Sequence, residues 1–311
     1  MQVETSGVTI RRFKPDDETS FLQLQAAAFR EFEYLPRVKS GLSALDPQGS
    51  FIAEKDGSPV GCIGIFKLER PAWFEVRNLA VKGPAYLEVA KELLARAIEQ
   101  VESTHPEYLK ASTPAVQPFV DLYKLAGFEP VRRSVRIVWD LSKVEAGEDK
   151  VLTRELKKED ANDAARVWVE GLRPYWNYWI EEEGGAEAVA SWVKKSVPKG
   201  QGWWWGAIIN DELVGLAILR PDSYGPGQAR FNGAYALPEF RGRGIGSALM
   251  NCIIREAKKR DQATMRVNTL AYLDHLAPGA VLYLKTGGRI EAEYLQLEKK
   301  TNGRNRGRLH H

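Results

Sequence analysis

At 311 residues the chain is long enough for two domains of ordinary size. Its formal charge of +3 is matched by Arg304, Arg306 and Arg308 in the segment 301–311, which leaves the body neutral and excludes a nucleic-acid role built on a basic surface. Cys62 and Cys252 lack metal-ligand spacing, and no leader or membrane-length apolar run is read, so no metal, no membrane partner and a cytoplasmic location are expected.

In chain order, the first half reads as strands and helices from 8 to 140. A small charged stretch, 141–150, has no periodicity and reads as a linker. The second half then predicts a strand at 151–156, helices at 159–172 and near 186–197, and strands at 203–210, 213–220 and 229–237. A helix at 247–260, a strand at 264–267, a helix at 279–286 and a closing strand at 289–297 follow. Hairpin strands leading into β-α-β-α-β give an α/β fold with a mixed sheet and helices on both faces.

The halves repeat one another. Phe13-Lys14-Pro15-Asp16-Asp17 matches Leu156-Lys157-Lys158-Glu159-Asp160, and the hairpin at Asp56-Gly57 matches that at Asn210-Asp211. Tyr123 and Tyr283 each have a proline five residues before and a glycine four residues after. Two copies of one domain, 1–140 and 151–300, are therefore expected, with 301–311 a disordered tail ending in a tag-like Leu309-His310-His311.

Between the strand at 229–237 and the following helix stands Arg241-Gly242-Arg243-Gly244-Ile245-Gly246-Ser247. A strand turning through glycines into a helix N-terminus aims unpaired N–H groups and the positive end of the helix dipole at one point, which suits a pyrophosphate. A Walker loop would need Lys after Gly246, and a dinucleotide fingerprint would need a glycine at Ser247 and an acid where Asn268 stands. The pattern R-x-x-G-x-G fits at Arg241, Gly244 and Gly246. With Tyr283-x-Lys285-x-Gly287 downstream, these residues resemble the acetyl-CoA loop and the following helix of the GNAT acyltransferase superfamily. Gly288 stands where that helix usually ends in Phe. The paired arrangement is similar to the mycothiol-synthase type: two tandem GNAT-fold domains, the first degenerate. Aligning Ala80-Val81 on Ala236-Leu237 puts Ala85, Glu88 and Ala90 at the loop positions, where side chains and a negative charge would repel phosphate.

The resemblance implies that the strand carrying Tyr235, Ala236 and Leu237 splays from its neighbour, lies along pantetheine and lends an N–H to the thioester carbonyl. It implies that Tyr283 donates a proton to the departing thiolate. The general base stays open among His275, Asp222, the Glu181-Glu182-Glu183 run and a water relay. Seven of the nine Trp lie between 168 and 205. Tyr175, Trp176, Tyr178 and Glu181 are candidate contacts for a cationic acceptor through cation–π and charge attraction, against the alternative of packing between the copies. The expected function is transfer of an acetyl group from acetyl-CoA to an amine of a small molecule or peptide in the C-terminal copy, by a monomer or homodimer. A non-catalytic acyl-CoA sensor is the rival.

Overall fold

The computed structural model describes residues 7–29, 34–70, 72–148 and 150–300. The tail expected at 301–311 lies outside the described residues. Among the described residues two compact units form: the first holds those up to 134 together with 292–300, and the second holds those of 135–291. No described helix is long and apolar enough to cross a membrane.

The first unit runs β1 (Val8–Arg12), α1 (Glu18–Phe29), α2 (Leu35–Gly41), β2 (Phe51–Lys55), β3 (Ser58–Lys67), β4 (Trp73–Val81), α3 (Leu87–Glu102), β5 (Tyr108–Pro114), α4 (Phe119–Leu125) and the start of β6 (Phe128–Asp140). The second adds β7 (Leu152–Glu155), α5 (Ala161–Leu172), α6 (Asn177–Glu182), α7 (Ala186–Ser196), β8 (Trp203–Ile209), β9 (Glu212–Arg220), β10 (Gln228–Ala236), α8 (Ile245–Lys259), β11 (Thr264–Ala271), α9 (Pro278–Lys285) and the start of β12 (Arg289–Lys299).

Each unit has the same sheet. The order is β1-β2-β3-β4-β5 in one and β7-β8-β9-β10-β11 in the other, antiparallel except for the parallel fourth and fifth strands. The repeat reaches single side chains. The Asp17 carboxylate accepts the Lys14 N–H and two contacts from Arg11, and Asp160 does the same with Lys157 and Arg154.

The division between units does not fall at 141–150. The second part of β6 supplies Val135, Ile137 and Trp139, each 0% exposed, to the core of the second unit. Residues 294–299 of β12 pair antiparallel with β5 and close the sheet of the first. Each unit thus takes one strand segment from the other half of the chain, and linear bounds of 1–140 and 151–300 do not express that exchange.

Element ends moved modestly. α8 starts at Ile245 rather than 247, because Gly244 already takes the left-handed cap conformation (φ 80°). β11 runs on to Ala271, which shortens the loop before α9. The short helix α6 was not expected from periodicity.

Candidate functional site

β10 pairs with β11 only from Gln228 to Arg230, against Thr264 to Arg266. Beyond Arg230 the two strands part. A bulge between Phe231 and Ala234 shifts the pairing of β10 with β9 by one residue, and Gly233 within it has φ 109°, where a side chain would be strained. In the first unit β4 and β5 stay paired as far as Arg77 and Ser112, two residues further by the same register, so the strands part later there. Gln25 of α1, 0% exposed, also fills the first unit's bulge by donating to the carbonyl of Asn78 at 2.7 Å. The bulges coincide when Val81 lies on Ala236, one residue from the alignment made on sequence, because the loops into the next helix differ in length.

The gap in the second unit has distinct sides. A Cβ at Gly215 would meet Ile245 and Leu249, and Phe231 packs edge-on to Tyr283 at 5.4 Å, so α8 and α9 cover one face. Tyr235 packs on Trp168 at 4.8 Å, so α5 covers the other.

At the end of β10 the chain turns through Gly242 (φ 78°) and Gly244 (φ 80°), with open space where a Cβ would stand at either. Left-handed glycines alternating with ordinary residues curl successive N–H groups into an anion-binding concavity. The first intrahelical bond of α8 runs from Ala248 to Gly244, and no side chain caps the helix. The N–H groups of Ile245, Gly246 and Ser247 are therefore left to a ligand. Gly246 instead serves packing, since a Cβ there would lie 2.7 Å from Leu282 of α9. Arg241 is not turned to this concavity. Its guanidinium donates to the carbonyls of Gly171 (3.0 Å) and Arg173 (2.5 Å) at the end of α5, and lies over the Tyr175 ring. Arg243 is exposed and lies over Phe240. The corresponding helix of the first unit, α3, opens on Leu87-Glu88 after a 3-10 turn, with no left-handed glycine at its start.

Tyr283 is 3% exposed, held between Phe231 and Trp139. Gly288 replaces a Phe here because a Cβ at that position would already meet Ile137 at 2.6 Å and Trp139 at 2.9 Å. The Tyr283 hydroxyl oxygen accepts the Ala234 N–H at 3.1 Å. Burial pushes the hydroxyl up to about 12, partly offset by that N–H. It therefore stays protonated at neutral pH, with its own proton free to donate.

Sequence reasoning placed the useful N–H among Tyr235, Ala236 and Leu237. The Leu237 N–H is spent on the carbonyl of Val214. Because N–H directions alternate along a strand, Ala234 and Ala236 face the gap, while Tyr235 and Leu237 face β9. Ala236 is thus the one of the three expected donors that faces the gap, while the Ala234 N–H, which the bulge also turns that way, is given to Tyr283.

His275 sits in an exposed turn, stacked on Tyr272 at 4.4 Å and bonded to Asp274 at 2.6 Å. Of the acidic run, Glu182 is buried (5% exposed), whereas Glu181 is partly exposed. Trp176 and Tyr178 stack at 5.8 Å, and Tyr178 and Tyr283 lie near enough to Tyr235 to reinforce the rise that burial imposes on its hydroxyl. Trp168, Trp192 and Trp204 pack mutually at 5.7–5.9 Å, so much of the aromatic excess is this unit's own core.

Residues 163–283, all within the second unit, match the model of the acetyltransferase (GNAT) family. The fold is similar to a GCN5-related N-acetyltransferase from Sphaerobacter thermophilus, with TM-score 0.74 and 16% identity over 94% of this chain and 96% of that one. A tandem GNAT protein from the clavulanic acid biosynthesis pathway matches with TM-score 0.62 and 15% identity, over 96% of this chain and 100% of that one. A GCN5-related N-acetyltransferase from Kribbella flavida matches with TM-score 0.57 and 12% identity, over 90% and 96% respectively. No curated protein sequence matches the chain.

Proposed function

We propose that the second unit transfers an acyl group, most simply acetyl, from acyl-CoA to an amine of a small molecule or peptide. The observation that carries this reading is a conjunction. An open glycine concavity at the start of α8 adjoins a strand gap, and a buried, protonated hydroxyl, that of Tyr283, reaches that gap. Acyl-CoA supplies an activated thioester. Gly242 to Ser247 hold its pyrophosphate, while the gap edge of β10 offers the Ala236 N–H to pantetheine or to the carbonyl oxygen. The attacking nitrogen forms the new C–N bond as C–S breaks. Tyr283 gives its proton to the leaving sulfur and recovers one from the amine.

One acetyl-CoA should bind per chain, read by titration calorimetry. Ser247→Glu is the cleaner block, because an acid at the third helical position favours the helix dipole yet sets a charge against pyrophosphate. Gly244→Glu should also abolish binding, at a cost of roughly 1–2 kcal/mol in strain at its positive φ. Two equivalent sites, or binding undiminished in both variants, would sink the assignment. Binding without turnover on any amine would favour a non-catalytic acyl-CoA sensor.

A further inference from the structure

On the face of the second unit's sheet that α5 and α7 cover, three arginines stand in one row across neighbouring strands. Arg220 of β9 is the direct partner of Arg230 of β10, which is the direct partner of Arg266 of β11. Directly opposed residues share a face, and like charges so placed repel. Arg266 is compensated, since Glu291 accepts from it at 3.2 Å and from Arg136 at 2.7 Å. Arg220 and Arg230 have no acidic partner among the described residues. The Arg220 Nε is buried without a hydrogen-bond partner, and its guanidinium lies over Trp192 at 5.4 Å. Burial, then the neighbouring Arg230, lowers the Arg220 affinity for its proton.

The first unit shows what a self-sufficient row looks like. By the same register its members are Phe66, Glu75 and Lys110. Burial works against the charge of Glu75, but Lys110, Arg77 and Arg37 outweigh it and hold the carboxyl below its ordinary value. In the second unit, arginine replaces both the phenylalanine and the glutamate, so no compensating charge stands in the row among the described residues.

The row's position is informative. Arg230 and Arg266 are the last paired residues before β10 and β11 part, on the side opposite α8 and α9. Asn232, two residues on in the bulge, has a buried Oδ1 without a hydrogen-bond partner. Ala234, bonded to Tyr283, follows. We propose that the amine acceptor carries an anionic group, a carboxylate or a phosphate, which Arg220 and Arg230 bind while Asn232 accepts a hydrogen bond from the amine. The four steps from Arg230 to Ala234 span about 13 Å of strand, less the bulge, so the anion and the reacting nitrogen are several bonds apart. This inference rests on the transferase reading above and reverses the sign suggested by Glu181 to Glu183.

The test compares matched amines, lysine against cadaverine and phosphoethanolamine against ethanolamine, by CoA release from acetyl-CoA. Turnover should favour the anionic member of a pair, and which pair responds separates carboxylate from phosphate. Arg220→Gln and Arg230→Gln should each raise KM for it by ~10-fold or more, the worth of one charge-assisted contact, with kcat little changed. Melting temperature should hold or rise, since a repulsion is removed. Turnover favouring the member that lacks the anionic group, or a KM unmoved by both substitutions, overturns the proposal. If acetyl-CoA binds but no amine reacts, the transferase reading fails instead. Tryptophan fluorescence then decides the anion site: quenching by the same anions that is unchanged in both variants overturns it.

Discussion

Tyr283→Phe should lower kcat by ~10²–10⁴, the usual loss when a positioned acid is removed, while acetyl-CoA affinity stays nearly constant. In the proposed reaction the hydroxyl acts only as sulfur departs, so its removal should be felt in the transition state and not in binding. The substitution also leaves the Ala234 N–H without its acceptor, at roughly 1–3 kcal/mol of stability, so turnover should be compared at a temperature where both proteins are folded. Tyr123→Phe is the matched control. Its hydroxyl is buried without a hydrogen-bond partner, and burial together with Glu75 pushes it upward. Turnover should be unchanged by it. Equal losses from the two substitutions would refute the division of labour.

The pH dependence has a definite sign. With the Tyr283 hydroxyl raised from 10.0 to about 12, kcat should not decline through pH 10 as it would for a solvated tyrosine. The unfolded chain ionises first as pH rises, so this group's contribution to stability is present below pH 10 and lost between about 10 and 12. Phe at 283 removes that dependence.

Residues 146–311 expressed alone should fail to fold, although the glycine concavity and Tyr283 are both retained. The truncation discards Val135, Ile137, Trp139 and Leu141, each 0–1% exposed in the core of the second unit. At ~1.5–3 kcal/mol per buried side chain the loss is comparable to the whole stability of a domain, about 5–15 kcal/mol. It also strands 294–299 without β5. A chain of residues 135–291 keeps the core and drops the stray strand, and should recover a cooperative thermal transition. A folded, fully active 146–311 fragment would refute the exchange of strands as the reason.

Much of this was legible in the sequence because it lives in local patterns. The glycines at 242 and 244, the helix that follows them, and the matching Asp17 and Asp160 openings follow from cap chemistry and local pattern. What was not legible depends on pairing across strands. No local pattern says that β10 and β11 separate at Arg230, that Ala234 faces the gap, or that Arg220, Arg230 and Arg266 align, since these are consequences of register. The packing within the aromatic run is long-range in the same way. Trp168, Trp192 and Trp204 come from three elements and look excessive one by one, yet together they fill one core.

The shared final strands also set an order of events during synthesis. The first unit lacks its β12 segment until residues 294–299 have been made, so β5 presents an unpaired edge while about 160 further residues are translated. At ~5–20 residues per second that interval is about 10–30 s. The second unit has no such wait, because its borrowed segment, 135–140, precedes it in the chain. The C-terminal copy therefore completes its own fold before the N-terminal copy can close. A released chain that ends at residue 291 should hold a finished glycine concavity in the second unit and an unfinished first unit.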